Sequence, residues 1–268
     1  MEKDFYLQYA TVEDKHWWFV ARRRILDRVI REISLPIDAK ILEAGCGTGG
    51  NLRMLARHGE VAAMELDEIA CEFANQRQVT TVRLGSLPDK IPFAGEYDLI
   101  VAFDVIEHLD DDLAALSALR SHLKPGGWII LTVPAYQFLW SSHDDINHHK
   151  RRYRLRGLQK VVRKADFSLC YGSYFNTFLF PLVAGVRLLQ NLFKLGNKSQ
   201  ENQIQNNKPQ TSGDLTVPSP LINKLLTFLF ASERHFFMGK LSLPFGVSAL
   251  VVAQKAVVSR QKAEGRSQ

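Results

Sequence analysis

The chain has 268 residues, of which 46% are hydrophobic and 23% charged, a balance that predicts a folded protein and excludes an intrinsically disordered one. Its formal net charge of +6 favours an anionic partner without choosing between phosphate, nucleic acid and a bilayer surface. The three cysteines lie far apart without CxxC spacing, which excludes a disulfide framework and a zinc-finger pattern and indicates reduced thiols in a cytoplasmic protein.

The first 38 residues predict an N-terminal helical lid. Helical periodicity runs over residues 12–34, where the aromatic stretch HWWF at 16–19 precedes three arginines. This helix either packs on a sheet through its aromatic side chains or forms one wall of a pocket for an apolar substrate. Early acidic residues argue against a signal peptide.

Strands and helices then alternate through a predicted core at residues 39–175. Apolar strands are predicted at 39–45, 60–66, 79–86, 97–105, 128–134 and 168–175, and a seventh at 246–255. Helices are predicted between them at 51–59, 67–77, 110–123 and 155–167. This alternation indicates an α/β fold with a parallel, doubly wound, seven-stranded Rossmann-like sheet.

A helical cap is predicted as an insertion between strands six and seven, at residues 176–246. Apolar helical pieces at about 174–195 and 219–238 are separated by a polar, flexible linker at 196–220, and residues 247–268 supply the last strand and a tail. Pro181 and Arg187 interrupt the most apolar stretch, so we predict no transmembrane helix. Peripheral contact with an anionic membrane stays open.

The stretch EAGCGTGG lies between the first strand and the first core helix. Gly45, Gly47 and Gly50 satisfy GxGxxG, and Glu65 follows at the end of the second strand, where a carboxylate can bind ribose hydroxyls. Glycines let the backbone approach a ligand closely. The turn therefore predicts a nucleoside-binding site, which a nicotinamide-dependent dehydrogenase would share.

Four ordered motifs carry a family resemblance: ILEAGCGTGGNL, MELD, YDLIVAFDVIEHL and LKPGGWIILTVP. Together they resemble the class I S-adenosylmethionine-dependent methyltransferases over residues 39–172. The resemblance implies that Glu65 binds the ribose, that Phe103 and Asp104 flank the methionine end, and that Glu43 helps to orient the ammonium or stabilises the turn. The third strand departs from the family, because Ser86 stands where an acid is usual. The implied cofactor-binding set is Glu43, Gly45, Gly47, Gly49, Glu65, Leu66, Ser86, Leu87, Phe103, Asp104 and His108.

The run SSHDDINHHKRRYRLR at residues 141–156 follows the fifth strand, so it belongs at the carboxyl edge of the sheet, where open α/β sheets bind ligands. Methyl transfer to a hydroxyl benefits from a general base, and histidine is the usual one. The candidates for such a base are His143, Asp144, His148 and His149, and the predicted catalytic residues are His143, Asp144 and His149. The alternatives are that these residues shape the loop or are simply solvated, with Arg151 or Arg152 holding an anionic group of the substrate.

A divalent metal is a second interpretation of the fourth-strand motif. DVIEHL places Asp104, Glu107 and His108 on one turn, and some methyltransferases of quinone precursors and RNA ends bind magnesium through a Glu-x-x-Glu-His version of it. Oxygen ligands with one imidazole suit Mg²⁺ or Mn²⁺. Many similar motifs bind no metal, and no metal ligand is included in the predicted site.

The sequence therefore predicts an S-adenosylmethionine-dependent methyltransferase that acts on a small-molecule or lipid-linked acceptor, with O-methylation favoured. The expected location is the cytoplasm, with peripheral attachment to the inner membrane face as an option. Three alternatives stay open: an RNA methyltransferase with a divalent metal, a nicotinamide-dependent dehydrogenase, and a non-catalytic nucleoside-binding partner protein. The basic run does not favour nucleic acid, because aromatic residues do not interleave it as a stacking platform would.

Overall fold

The computed structural model describes residues 3–197, 215–239 and 241–257, with side chains described from residue 6 and not over 190–197. Most of the predicted linker at 196–220 and the tail beyond residue 257 lie outside the described residues. The strands are β1 (Lys40–Ala44), β2 (Glu60–Glu65), β3 (Val82–Leu84), β4 (Tyr97–Phe103), β5 (Leu123–Pro134), β6 (Phe167–Phe175) and β7 (Ser248–Lys255). The helices are α1 (Lys3–Val12), α2 (Trp17–Glu32), α3 (Leu52–Leu55), α4 (Glu68–Gln76), α5 (Asp112–Ser121), α6 (Ser142–Ile146), α7 (Leu155–Lys164), α8 (Phe180–Asn197) and α9 (Pro220–Ser232).

The seven strands form one sheet in the order β3-β2-β1-β4-β5-β7-β6. This confirms the predicted seven-stranded Rossmann-like α/β fold. Strands β1 to β5 pair in parallel, but β7 is antiparallel to both β5 and β6, so the expectation of a wholly parallel sheet is wrong at that strand. The chain leaves β6 at Phe175 and re-enters the sheet at Ser248, which pairs with Phe175, between β5 and β6. Because the excursion through α8 and α9 begins and ends at the same edge of the sheet, β7 runs antiparallel to β6.

Apolar side chains cover the sheet on both faces, which explains the continuous apolar strands. One core cluster joins α2, α3 and α9 to one face of the sheet, through residues such as Ile25, Leu55 and Phe230. The second cluster joins α5 and α7 to the opposite face, through residues such as Leu116 and Leu158. The carboxyl ends of the parallel strands are left to the loops, where a ligand can bind.

The N-terminal region holds two helices where the sequence predicted one. The chain breaks after α1 because His16 caps α2, its side chain accepting a hydrogen bond from the backbone N–H of Trp18. Trp17 donates its own backbone N–H to Asn223 of α9 at 2.8 Å. The aromatic start of α2 is therefore held against the inserted helices.

The inserted helices α8 and α9 differ in how they meet the rest of the chain. Phe230 of α9 is fully buried, stacks on Phe175 of β6 and meets Trp17 edge-on. Both helices also carry apolar side chains that are largely exposed: Leu182, Val186, Leu188 and Leu189 on α8, and Leu221, Ile222, Leu225 and Phe228 on α9. Within the described ranges, no helix has the length and apolar content needed to cross a bilayer.

Candidate active site

The glycine turn adopts a backbone that requires glycine. Gly45, Gly47 and Gly49 have φ angles of +72°, +56° and +84°, in the left-handed region. A Cβ at Gly45 would lie 2.7 Å from Val105 Cγ2, whereas one at Gly47 would meet nothing within 4 Å. The open side of Gly47 leaves space beside the turn for a ligand.

A buried polar cluster that the sequence did not reveal supports the turn from behind. Arg77 donates through Nε to the backbone oxygen of Thr48 at 2.7 Å and also pairs with Glu13. Thr48 donates its hydroxyl to Glu13 Oε1 at 2.6 Å. Glu13 lies so close to Gly50 that a Cβ there would collide with its carboxylate. Glu13 belongs to no recognisable sequence motif, and its partners Thr48 and Arg77 are distant from it in sequence.

Glu65 is at the end of β2, beside the turn, as the sequence predicted. Its Oε2 accepts the backbone N–H of Gly47 at 2.7 Å, and its Oε1 accepts those of Leu66 and Asp67 at 2.8 and 3.1 Å. Burial raises the pKa of Glu65, against the lowering effect of these backbone donors. Leu66 is 72% exposed, an apolar surface directly next to the carboxylate. These features fit ribose hydroxyls and an adjacent base.

Two further predicted residues and one unpredicted residue surround Glu65. Ser86 and Leu87 follow β3, where Ser86 exchanges backbone hydrogen bonds with Lys90 and the preceding Gly85 donates to the backbone oxygen of Glu65. Tyr6 of α1 approaches from the other side. Burial raises the pKa of Tyr6, and the charges of Asp67 and Glu65 add to the rise. Helix α1 thus lies over the predicted nucleoside end of the site.

Glu43 lies deep in the site, fully buried at the end of β1. Its Oε1 accepts a hydrogen bond from Asn51 Nδ2 at 2.9 Å, and its Oε2 has no hydrogen-bond partner among the described residues. Burial raises its pKa to about 8, with the Asn51 hydrogen bond acting in the opposite direction. An orphaned buried acceptor fits the ammonium group that the resemblance places nearby.

Arg22 is a residue of the site that sequence reasoning missed. It is 5% exposed and donates through Nη2 to Asp104 Oδ2 at 2.7 Å and to Thr132 Oγ1 at 2.9 Å. Its guanidinium lies 5.1 Å from the ring centre of Trp18 and 5.4 Å from that of Phe103. The helical period offers a signal, because Arg22 falls on the same face as buried Ile25 and Val29.

The acidic turn after β4 differs from the metal set that the sequence suggested. Asp104 is paired with Arg22, whereas Glu107 and His108 lie in a 3₁₀ turn beside His149. One ligand atom each from Glu107, His108 and His149 lie within 4.8 Å of one another. Asp104 is therefore replaced in that cluster by a histidine from the His-rich run.

Glu107 and His108 are both shifted toward their neutral forms. Glu107 is fully buried, and neither of its carboxylate oxygens has a hydrogen-bond partner in the described part of the chain. Burial raises the pKa of Glu107 well above its usual range, and the charge of Asp104 adds to the rise. Burial, helped by the neighbouring His149, lowers the pKa of His108 to about 4. A buried orphaned carboxyl with two imidazoles would also suit a divalent cation.

The centre of the His-rich run is the Asp144 cluster, formed by Asp144, Ser141, His149 and Arg152. Asp144 Oδ1 lies 2.8 Å from His149 Nδ1 and accepts from Arg152 Nε at 2.7 Å. Its Oδ2 accepts from Arg152 Nη2 at 2.9 Å and from the backbone N–H of Ser141 at 2.8 Å. Burial alone would raise the pKa of Asp144, but the hydrogen bonds from His149 and Arg152 outweigh it and hold the pKa below its usual range.

These hydrogen bonds give the residues of the His-rich run different roles. Asp144 stays ionised and its oxygens are occupied, so it suits orienting His149 better than accepting a proton. His143 lies next to the pair, its ring centre 6.4 Å from that of His149. Arg152 is used by Asp144, and Arg151 donates to the backbone oxygens of Leu109 and Asp110. Neither arginine is therefore free to hold a substrate anion.

The sheet order and the turn at its carboxyl edge define a class of protein: the class I S-adenosylmethionine-dependent methyltransferases. A family model described as a methyltransferase domain matches residues 18–171, more than half of the chain. The chain belongs to this methyltransferase domain family, and its cofactor is S-adenosylmethionine. The nicotinamide-dependent dehydrogenase is thereby excluded.

Individual relatives agree with this assignment. The chain is 32% identical over 114 residues to a ubiquinone biosynthesis O-methyltransferase of Xanthomonas campestris, covering 40% of this chain and 47% of that protein. The corresponding protein of Cereibacter sphaeroides is 35% identical over 109 residues, covering 37% and 44%. The chain thus spans less than half the length of these curated relatives.

Solved structures share the fold. One is a chain of the complex between the Haloferax volcanii Trm112 methyltransferase activator and the putative methyltransferase, with a TM-score of 0.56 and 14% identity, covering 92% of this chain and 96% of that one. Another is a putative sarcosine dimethylglycine methyltransferase of Galdieria sulphuraria, with a TM-score of 0.51 and 17% identity over 90% and 85% of the two chains.

Proposed function

We propose that this methyltransferase methylates an oxygen of a small-molecule or lipid-linked acceptor, with His149 as the general base. The observation that carries the proposal is the 2.8 Å contact between His149 Nδ1 and the buried carboxylate of Asp144. Since an ionised carboxylate only accepts hydrogen bonds, Nδ1 must carry the proton of the neutral ring. The other nitrogen, Nε2, is then the basic one.

The position of His149 supports the same role. Its side chain is only 9% exposed, while the neighbouring His148 faces solvent with a φ of +55°. His149 also lies beside His108, with ring centres 4.7 Å apart, at the turn that follows Phe103 and Asp104. S-adenosylmethionine supplies a methyl group already activated on a sulfonium. The task left to the chain is to align the acceptor oxygen and remove its proton.

In this proposal the remaining site residues bind different parts of the cofactor. Glu65 and the open side of Gly47 hold the ribose, Glu43 holds the ammonium, and Phe103 lies at the methionine end. Arg22 fixes Asp104 next to Phe103. The O-methyltransferase names of the curated relatives favour an oxygen acceptor.

The nature of the acceptor is inferred from the surroundings of the site. Exposed apolar side chains on the inserted helices, such as Leu182 and Leu225, suit an apolar or lipid-linked acceptor. Contact with the inner membrane face would bring such an acceptor within reach. The absence of an aromatic stacking surface in the basic run favours a small acceptor over RNA.

Labelled methyl transfer into a cell extract tests this function. The purified chain, S-adenosylmethionine carrying a labelled methyl group and the extract are incubated, and lipid, small-molecule, RNA and protein fractions are separated. We expect label in the lipid or small-molecule fraction, released by ether-cleaving acid as an O-methyl group. Label in RNA would support the RNA methyltransferase. No transfer by a chain that still binds the cofactor would support the non-catalytic partner.

A metal-assisted version of the reaction is a second candidate, favoured by the two orphaned oxygens of Glu107 beside His108 and His149. Such an ion would be a Lewis acid for the acceptor oxygen and would use His149 as a ligand rather than a base. Chelation with EDTA, followed by addition of Mg²⁺ or Mn²⁺, separates the two. The general-base proposal expects an unchanged rate in EDTA. A loss of at least about tenfold, restored by the metal, would instead support the metal site.

A further inference from the structure

A basic groove lies beside the glycine turn, with Gly50 and Arg77 in its lining and no residue of the Asp144 cluster. It has a volume of about 760 Å³ and runs between α2 and α3, with residues just after α4 and α9 completing its lining. Eight arginines line it, against two aspartates and one histidine. We refer to it as the arginine groove. Apart from Arg77, which also supports the glycine turn, none of its arginines has a part in the proposed methyl transfer.

Four of the groove's eight arginines come from one face of α2. Arg22 points inward to Asp104, while the next residue, Arg23, lines the groove, as do Arg24, Arg28 and Arg31. Helical spacing thus divides the basic run of α2 between two separate sites.

The acidic residues do not neutralise the groove. Asp27 pairs with both Arg31 and Arg57, and Asp14 lies against both Arg23 and Arg77, so each single carboxylate is shared by two guanidinium groups. Glu32 and Glu13, which do not line the groove, also pair with Arg28 and Arg77. No ion pair within the described ranges involves the three other lining arginines, Arg24, Arg53 and Arg234. The groove therefore carries a large uncompensated positive charge.

The composition of the lining indicates the class of ligand. Guanidinium groups bind phosphate oxygens through paired hydrogen bonds, and all of the cationic side chains with a fixed charge here are arginines. The volume is in the range of ligand pockets, which is roughly 300–1,000 Å³. The lining has no Phe, Tyr or Trp on which nucleic-acid bases could stack. Val20 and Met54 supply the apolar part.

We propose that the arginine groove is a second ligand site, which binds two or more closely spaced phosphate groups. Such a ligand has two sources: a soluble oligophosphate compound, or the phosphate headgroups of an anionic membrane. The exposed apolar side chains of α8 and α9 make the second source physically reasonable. The shared requirement is a closely spaced cluster of phosphate charge.

Calorimetry with inorganic triphosphate tests the proposal on the full chain. S-adenosylhomocysteine is present at saturation, so that the cofactor pocket is occupied. The test variant is Arg24→Gln, Arg53→Gln and Arg234→Gln combined. We expect this variant to bind triphosphate at least about tenfold more weakly than the original chain, because three charge-assisted contacts are lost.

A matched control removes the same charge from the opposite face of the sheet. Arg156, Lys160 and Arg163 are exposed on α7, and their change to Gln should alter triphosphate affinity by less than about threefold through long-range screening alone. Both variants should keep their affinity for S-adenosylhomocysteine, which reports an intact fold. If the test variant loses that affinity, Arg24→Gln alone replaces it, with an expected weakening of about threefold or more.

A second assay distinguishes the two sources of phosphate. The original chain and both variants are sedimented with vesicles of phosphatidylcholine alone or with phosphatidylglycerol added. Triphosphate binding that depends on the groove supports the soluble source, and retention on the anionic vesicles alone, with the same dependence, supports the membrane source. The proposal is overturned if the test variant and the control variant lose the same affinity, or if neither triphosphate nor the anionic vesicles bind. It is also overturned if single-stranded RNA is the only probe that binds through the groove.

Discussion

Replacement of Asp144 by asparagine removes the charge at the centre of the Asp144 cluster and keeps its shape. The carboxylate is fully buried and accepts hydrogen bonds from the side chains of His149 and Arg152 and from the backbone of Ser141. An amide at this position can accept at one end only. Its NH₂ group would face donors, and the guanidinium of Arg152, 8% exposed, would lose its counter-ion.

The expected loss of stability follows from this geometry. Leaving one partner of a buried ion pair uncompensated costs about 3–5 kcal/mol. For a chain of this size each kcal/mol lowers the melting temperature by roughly 2–4 °C, so a fall of at least about 6 °C is expected. Urea unfolding monitored by tryptophan fluorescence measures the free energy of unfolding directly. The control is Asp145→Asn, an exposed neighbour, which should change that free energy by less than about 1 kcal/mol.

The pH dependence gives a second, independent check. Since hydrogen bonds hold the pKa of Asp144 below its usual range, its contribution to stability is complete above the usual pKa of an aspartate and is lost as pH falls toward the lowered value. The difference between the original chain and Asp144→Asn should therefore be constant from pH 8 to about 5 and shrink below about pH 4. Equal stability of the Asp144 and Asp145 variants at neutral pH would refute the reasoning.

Three further predictions concern the cofactor end of the site. Glu65→Ala should weaken S-adenosylhomocysteine binding about a hundredfold or more in calorimetry, because two charge-assisted hydrogen bonds to the ribose are lost. The control Glu68→Ala, at an exposed position, should leave that affinity unchanged, and equal affinities of the two variants would contradict the ribose role. Gly49→Ala should lower the free energy of unfolding by about 2 kcal/mol, because the φ angle of Gly49 is +84°. Gly157→Ala, on an open face of α7, should instead raise it by up to about 1 kcal/mol. Similar effects at the two positions would contradict the prediction. Glu43, with its pKa raised to about 8, is largely protonated at pH 7. Binding of the ligand's ammonium should therefore release a proton, and the affinity should rise from pH 6 to 8. Glu43→Gln should abolish the dependence of the binding enthalpy on the buffer, and a dependence that persists in this variant would exclude the role of Glu43.

The sheet could be predicted from the sequence because its strands are buried on both faces and are therefore apolar throughout. The GxGxxG turn likewise identified the carboxyl edge of the sheet as the ligand-binding edge, since such a turn must follow β1 and precede a helix. The direction of β7 could not be predicted, because it depends on how α8 and α9 return the chain to the sheet. Helix α3 is shorter than its predicted length of 51–59, ending at Leu55.

The site could be predicted where its residues are adjacent along the chain, and only in part elsewhere. The sequence Ser141-x-x-Asp144 is a capping-box pattern, and the structure forms that box, although Asp144 was predicted only as a catalytic or loop-shaping residue. Arg22 and Glu13 were not predicted, because their partners Asp104 and Arg77 are distant in sequence and local patterns carry no such information.

The central proposal is that His149, oriented by Asp144, takes a proton from the acceptor oxygen. The most direct test compares methyl-transfer rates of the original chain, His149→Gln and His148→Gln on the extract fraction that accepts label, at saturating S-adenosylmethionine. We expect His149→Gln to lower the rate by about a hundredfold or more with unchanged affinity for S-adenosylhomocysteine, and His148→Gln to leave both unchanged. A rate for His149→Gln within about threefold of the original would contradict the proposal.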